Sequence, residues 1–195
     1  VFRSLLAAIL IALWANAVVA AQTAALRILR DGRATYHDLD LAKLPAGTSP
    51  KLFSGELVGN TFELFVRNID AQTVNLEIGF VDDGGKAQHT FNLAANGTPL
   101  DASLDVVSKA GGAYKPWVFK TTYYHSGGAL AIQFTGLSSP AFVSYLRISD
   151  ADGRVLAFGT AKDWEKGERL TLLDSRSRPF HHVKVESVPF FDVDH

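Results

Sequence analysis

An antiparallel, all-β sandwich is the fold class this sequence predicts, and three observations predict it. Apolar and polar residues alternate over several short runs, the two-residue period of half-buried strands. The runs are separated by turn signals that carry glycine: Asp82-Asp83-Gly84-Gly85, Asn96-Gly97, Gly111-Gly112, Gly127-Gly128 and Asp150 to Gly153. Hardly any stretch after residue 21 has the period of an amphipathic helix. Many short strands between such turns describe two packed sheets. Periodicity alone does not choose between a jelly-roll and an immunoglobulin-like path.

Taken in order, residues 1–21 open with the cation Arg3, continue through an apolar run from Leu5 to Trp14, and leave through Val19-Ala20-Ala21. A charged start, an apolar centre and a small-residue exit predict a secretory leader removed after Ala21. The run, broken by Asn16, is short of the ~20 residues that a helical bilayer span requires. Ala24 to Arg30 is expected to form the first strand, and Asp31-Gly32 a turn. Arg33 to Pro50, interrupted by Pro45 and Gly47, reads as a loop-rich entry.

From Thr61 to Ile69, Phe62, Leu64 and Val66 point one way, and Glu63 and Arg67 the other. Val74, Leu76, Ile78 and Phe80 repeat the pattern. His89 to Leu93 begins the next strand, and Asn96-Gly97 suits a tight hairpin because both residues tolerate positive φ. Asn96-Gly97-Thr98 is also a glycosylation sequon, but the turn needs no modification to explain it. Trp117, Phe119, Thr121 and Tyr123 share one strand face, and Leu130, Ile132 and Phe134 another. Phe142, Ser144, Leu146 and Ile148 follow as one more strand, and Val155 to Thr160 and Leu170 to Leu173 as added ones. Asp174 to Arg178 reads as a linker, and the apolar-rich end PFFDVDH points to a larger protein continuing past His195. The expected organisation is a leader (1–21), a sandwich domain (22–160) and a C-terminal extension (161–195), either a linker or the start of a further domain.

Composition removes several function classes. The net charge is −1, with both signs interspersed, so no basic stripe marks a nucleic-acid face. The absence of cysteine excludes disulfides, thiolate zinc sites and a cysteine nucleophile. No G-x-S-x-G elbow is present for a serine nucleophile. Asp101, Asp105 and Glu77 lie in ordinary strand and turn contexts, without a signature of the paired acids of a glycosidase. The chain is therefore expected not to be an enzyme.

The central stretch carries a resemblance. FNLAANGTPLDASLDVVSKAGG (Phe91 to Gly112) is followed by KPWVFKTTYY, ALAIQFTG and PAFVSYLRI. An apolar strand into Asn-Gly, then L-D-V-V-x-x-A-G-G, then an aromatic-polar strand, then L-x-I-x-F-x-G and a small-residue loop into Y-L-R-I resembles the malectin and malectin-like carbohydrate-binding domains. The match covers roughly Leu52 to Ile148. It implies a jelly-roll sandwich, a secreted or periplasmic location, and a non-catalytic module for an oligosaccharide or polysaccharide. It also implies that no membrane segment remains once the leader is removed. In such domains, loop aromatics and carboxylates at one end of the sandwich hold the sugar. The family's early-loop tyrosine corresponds to Tyr36, its aromatic pair to Asp82 and Asp83, and its late-loop aspartate to the neighbourhood of Ser138. Its tyrosine before the second core strand falls near Val58-Gly59. These replacements speak against the family's glucose-oligomer specificity and leave the fold untouched.

The candidate carbohydrate-binding residues are thus Tyr36, Asp82, Asp83, Tyr114, Trp117 and Ser138. Asp82 and Asp83 offer hydrogen-bond acceptors for hydroxyls, or oxygen ligands for calcium, while Asp-Asp-Gly-Gly is equally a good turn. Tyr114 precedes Pro116 in a glycine-rich loop, placed for stacking. Trp117 shares strand parity with Tyr123, which also suits packing. His181, His182, Asp192, Asp194 and His195 resemble a metal cluster, but adjacent histidines on a strand face opposite ways. No cofactor is expected apart from the calcium option. Two other partnerships fit: a covalently linked catalytic domain, with this chain as accessory domain of a larger secreted glycoside hydrolase, or a protein partner in the cell envelope.

Overall fold

The computed structural model describes residues 28–30, 33–84 and 89–165. The expected leader, the strand at Leu170 to Leu173, the linker at Asp174 to Arg178 and the His181–His195 group lie outside them. In chain order the first strands are β1 (Ile28–Arg30), β2 (Thr35–Asp38), β3 (Gly55–Gly59), β4 (Thr61–Ile69), β5 (Thr73–Phe80) and β6 (Thr90–Ala95). They are followed by β7 (Thr98–Asp105), β8 (Trp117–Tyr124), β9 (Gly128–Gly136), β10 (Ala141–Val143), β11 (Tyr145–Asp150) and β12 (Val155–Thr160). Two single-turn helices, α1 (Val106–Ala110) and α2 (Ala161–Glu165), and a 3-10 turn at Leu41–Lys43 complete the described elements.

The all-β sandwich expectation holds. One sheet has the order β1-β4-β9-β6-β7, the facing sheet β12-β11-β5-β8, and a small third sheet β10-β3-β2 caps one end. Every strand pairing among the described residues is antiparallel. Successive strands cross between the two main sheets, β4 to β5, β5 to β6 and β8 to β9, as a jelly roll requires.

The alternation read from the sequence is what builds the core. Phe62, Leu64 and Val66 of β4 are fully buried, as are Val74, Ile78 and Phe80 of β5. Phe62 stacks on Phe134 of the neighbouring β9 at 4.7 Å. Phe80 meets Phe91 across the sheets at 5.7 Å, and Phe142 closes on Phe91 at 5.3 Å. Burial of these rings and of the aliphatic residues around them is the main stabilising term in a fold without disulfides.

Asn96 and Gly97 take φ of 45° and 77°, the mirror-image turn that matches strand twist. The Asn96 carboxamide is engaged by Ala129 and Ala131: Nδ2 donates to the Ala129 carbonyl and Oδ1 accepts the Ala131 N–H. The L-D-V-V-x-x-A-G-G stretch folds as α1. Asp105 caps it by accepting the Ser108 N–H at 2.9 Å, and Gly111 ends it at φ 73°. Losing such a cap costs about 1 kcal/mol, so Asp105→Ala is expected to lower the unfolding free energy by about that amount in a urea titration.

Two expectations need correction. The stretch from Arg33 to Pro50 is not only loop, because Thr35–Asp38 pairs with β3 as an edge strand. Its short polar sequence hides the pairing, which comes from backbone hydrogen bonds rather than from an apolar stripe. The run Phe142 to Ile148 is not one strand. It changes sheets at Ser144, whose N–H donates to the Gly79 carbonyl and whose carbonyl accepts from Ala161. Ala141 to Leu146 are all buried, a near-continuous apolar run on both sides of the junction, so the sequence pattern cannot reveal it. The packed core also runs past residue 160, since Ala161 and Trp164 of α2 are buried within it. The Trp164 carbonyl accepts a hydrogen bond from Arg30 Nε, 134 residues earlier, at 2.8 Å.

Candidate functional site

The small sheet and the loops after β5, α1 and β9 gather at one end of the sandwich. Phe80, the last residue of β5, and Val81 after it are buried in the core, so the next residue, Asp82, enters the protein body rather than solvent. Asp82 is only 2% exposed. Its Oδ1 accepts the Gly84 N–H at 2.9 Å, and its Oδ2 accepts His89 Nδ1–H at 2.7 Å. Because a carboxylate only accepts, the shared proton sits on His89 Nδ1. The His89 ring is backed edge-on by Phe142 at 5.8 Å. Asp83, next along, is exposed.

Tyr114 reaches the same place from the loop after α1. Its N–H donates to the Asp82 carbonyl at 2.8 Å. Its φ is 56°, a left-handed conformation uncommon for a bulky residue and therefore held by its surroundings. The hydrogen bond to Asp82 and close contact with Gly84 hold it: a Cβ on Gly84 would lie 3.0 Å from the Tyr114 ring. Lys43, from the 3-10 turn, donates to the Tyr114 hydroxyl at 3.3 Å and sits 4.9 Å from its ring centroid. That contact, with Asp40 3.5 Å away, raises the Lys43 pKa.

Glu56 of β3 completes the group from below. It is 5% exposed, and its Oε2 has no hydrogen-bond partner. Burial, then the charges of Asp83 and Asp82, push its carboxyl up to about 9, so it is a neutral acid at physiological pH. Three carboxyl groups and one imidazole therefore meet at this end.

The structure brings Asp82, Asp83 and Tyr114 together. Ser138 borders them: its hydroxyl pairs with Thr90 Oγ1 at 2.9 Å, and Thr90 follows His89. Trp117 instead packs nearly parallel on Phe80 at 5.8 Å, with Phe119 against its edge. Tyr36 is engaged elsewhere. Its hydroxyl donates to Asp38 at 2.7 Å, and Lys162 lies 4.7 Å from its ring centroid. Glu56, His89 and Lys43 escaped sequence reasoning. A lone acid within the otherwise uncharged Leu52–Gly59 segment was the available signal for Glu56. Nothing in the spacing relates Lys43 to Tyr114.

A second, shallow depression of about 320 Å³ lies on the outer face of the four-stranded sheet, lined by Asn75, Glu77, Lys120, Thr122 and Arg147 among others. Its charges satisfy one another. Glu77 pairs with Lys120 at 3.1 Å and Arg147 at 3.4 Å, and accepts the Tyr145 hydroxyl at 2.9 Å. No helix among the described residues is long and apolar enough to cross a membrane.

Neither a protein-family model nor a curated protein matches the chain. Solved structures do. A calcium-binding mutant of Bacteroides uniformis β-glucuronidase 2 matches with a TM-score of 0.52 at 15% identity, over 62% of this chain and 14% of that one. The ANXUR1 extracellular domain from Arabidopsis thaliana matches at 0.54 and 14% identity, over 62% and 39%. The plant receptor-like kinase ANX2 matches at 0.51 and 15% identity, over 62% and 39%. This chain thus spans well under half of each of these solved chains, and at such identities the likeness is one of fold.

Proposed function

We propose that the chain is a non-catalytic, malectin-like sandwich module, exported from the cytoplasm, that binds an oligosaccharide or polysaccharide at the Asp82–Tyr114 end. The observation that carries this reading is the meeting of Asp82, Asp83 and Tyr114, with Tyr114 held at positive φ. Asp83 accepts hydrogen bonds from sugar hydroxyls, the Tyr114 ring offers a face to a pyranose, Ser138 adds a hydroxyl at the rim, and Lys43 fixes the tyrosine. Buried Asp82 serves as the support that positions the loop. Likeness in fold to receptor extracellular domains and to part of a glucuronidase supports the same reading.

The test is a glycan-array screen of the folded protein, followed by calorimetric titration of the strongest hit. Asp83→Ala and Tyr114→Ala are each expected to weaken binding about tenfold, equivalent to about 1.4 kcal/mol. Asp152→Ala, in the β11–β12 turn, is expected to leave it unchanged. A blank array on folded protein overturns the free-standing reading. The likeness to a segment covering 14% of a β-glucuronidase favours a second reading, an accessory sandwich within a larger secreted glycoside hydrolase. That reading predicts a blank array together with tight association to a catalytic unit.

A further inference from the structure

We propose that Asp82, Asp83 and His89 bind a first-row divalent transition-metal ion of the zinc class, with the buried Glu56 carboxyl at its back. One donor atom from each of the three lies within 4.8 Å of the others, close enough for a modest loop adjustment to place all three around one ion. Acidic clusters alone are common on surfaces; two features set this one apart. Glu56 is buried, its Oε2 lacks any hydrogen-bond partner, and it faces the charges of Asp83 and Asp82. Burying an acceptor without a partner is costly, and a cation beside it would supply what the protein does not. In addition, His89 is oriented in advance. Phe142 backs its ring edge-on at 5.8 Å, and its Nδ1 already lies 2.7 Å from Asp82 Oδ2, so an ion entering between them replaces the proton they share, which is released to solvent.

The imidazole decides the class of ion. Calcium takes oxygen donors in shells of six to eight, whereas a nitrogen with carboxylates suits zinc and its first-row neighbours. The calcium option read from Asp82 and Asp83 alone gives way to this once His89 joins them. The metal site does not depend on saccharide binding, and its test contains no sugar, so the two readings fail separately.

Chelator-stripped full-length protein is titrated with zinc chloride and, separately, calcium chloride, by calorimetry and thermal unfolding. Zinc at a hundredfold excess over its Kd is expected to raise the Tm by about 5–10 °C, and calcium is expected to do nothing. The chain has six histidines, so variants must locate the response. His89→Gln and Glu56→Gln are each expected to weaken zinc binding at least about tenfold. Asp83→Asn, at an exposed position that leaves the fold intact, is expected to do the same. No zinc response, a zinc response unchanged in His89→Gln and Asp83→Asn, or an equal response to calcium overturns the proposal.

Discussion

Glu56→Gln is expected to stabilise the protein, by about 3 kcal/mol at pH 7. The carboxyl titrates near 9 when folded and near 4.5 when free. At pH 7 folding must therefore return a proton to a group that is ionised in the unfolded chain. Each pH unit above the free value costs about 1.4 kcal/mol, and 2.5 units separate the free value from neutrality. The direction follows from proton counts. Between pH 4.5 and about 9 the folded protein holds the Glu56 proton and the unfolded chain does not, so stability from this group is complete below 4.5 and is lost as pH rises through 9. Glutamine keeps the shape and removes the titration. Urea unfolding at pH 5 and pH 8 should show the wild type losing several kcal/mol relative to the variant, while a constant gap between them would contradict the account. Glu56→Gln would thus make the fold sturdier and its proposed metal site weaker, a trade familiar where an acid is kept buried for a task.

Gly79→Ala is expected to destabilise the fold strongly, at a cost of about 3 kcal/mol. Gly79 sits directly across from Tyr145 in the β5–β11 ladder. A Cβ there would lie 2.0 Å from Tyr145 Cε1 and 2.2 Å from its Cδ1. The ring has nowhere to retreat. It is 2% exposed, Phe53 packs against it edge-on at 5.4 Å, and its hydroxyl donates to Glu77 at 2.9 Å. Burial and that bond hold the phenol well above its ordinary pKa, so it remains a neutral donor. An alanine must push the ring out, strain the strand and break the hydrogen bond together. The Tm is expected to fall by about 6–12 °C. A double-mutant cycle checks the cause: with Gly79→Ala present, Tyr145→Ala should cost about 2 kcal/mol less than it does alone. Strict additivity would remove the steric explanation.

The strands legible in the sequence are those whose two faces meet different surroundings. Thr61–Ile69 and Trp117–Tyr124 were read with the ends they have in the fold, because one face meets core and the other solvent. The Asn96-Gly97 turn was legible because few residues tolerate its φ values. β2 was not, since a polar edge strand is defined by its partner. The Ser144 junction was not, since every residue from Ala141 to Leu146 is buried and no change of pattern marks the switch of sheets. At the site, Asp82 and Asp83 could be picked from the turn they make, and Tyr114 from its loop. Glu56 joins them from β3 only through tertiary folding, which no local spacing carries, and His89, seven residues past Asp82, stands in no motif that marks the pair. Trp117, whose strand parity with Tyr123 suits packing, spends its ring on Phe80.

The contact between Arg30 and the Trp164 carbonyl sets the order in which the molecule can be made. The first described strand and the last described helix close against each other, and α2 also rests on β2 and β3. Loop closure over such a span comes late in folding and slows it. On a ribosome, the small sheet that contains Glu56 stays without α2 until residue 164 has emerged, after the residues of the β4–β9 and β5–β8 pairs. With no cysteine in the chain, no covalent bond secures that half-finished state. Between synthesis of β9 and docking of α2, the apolar surface that Ala161 and Trp164 cover is open to solvent, the condition under which a folding chain is prone to aggregate.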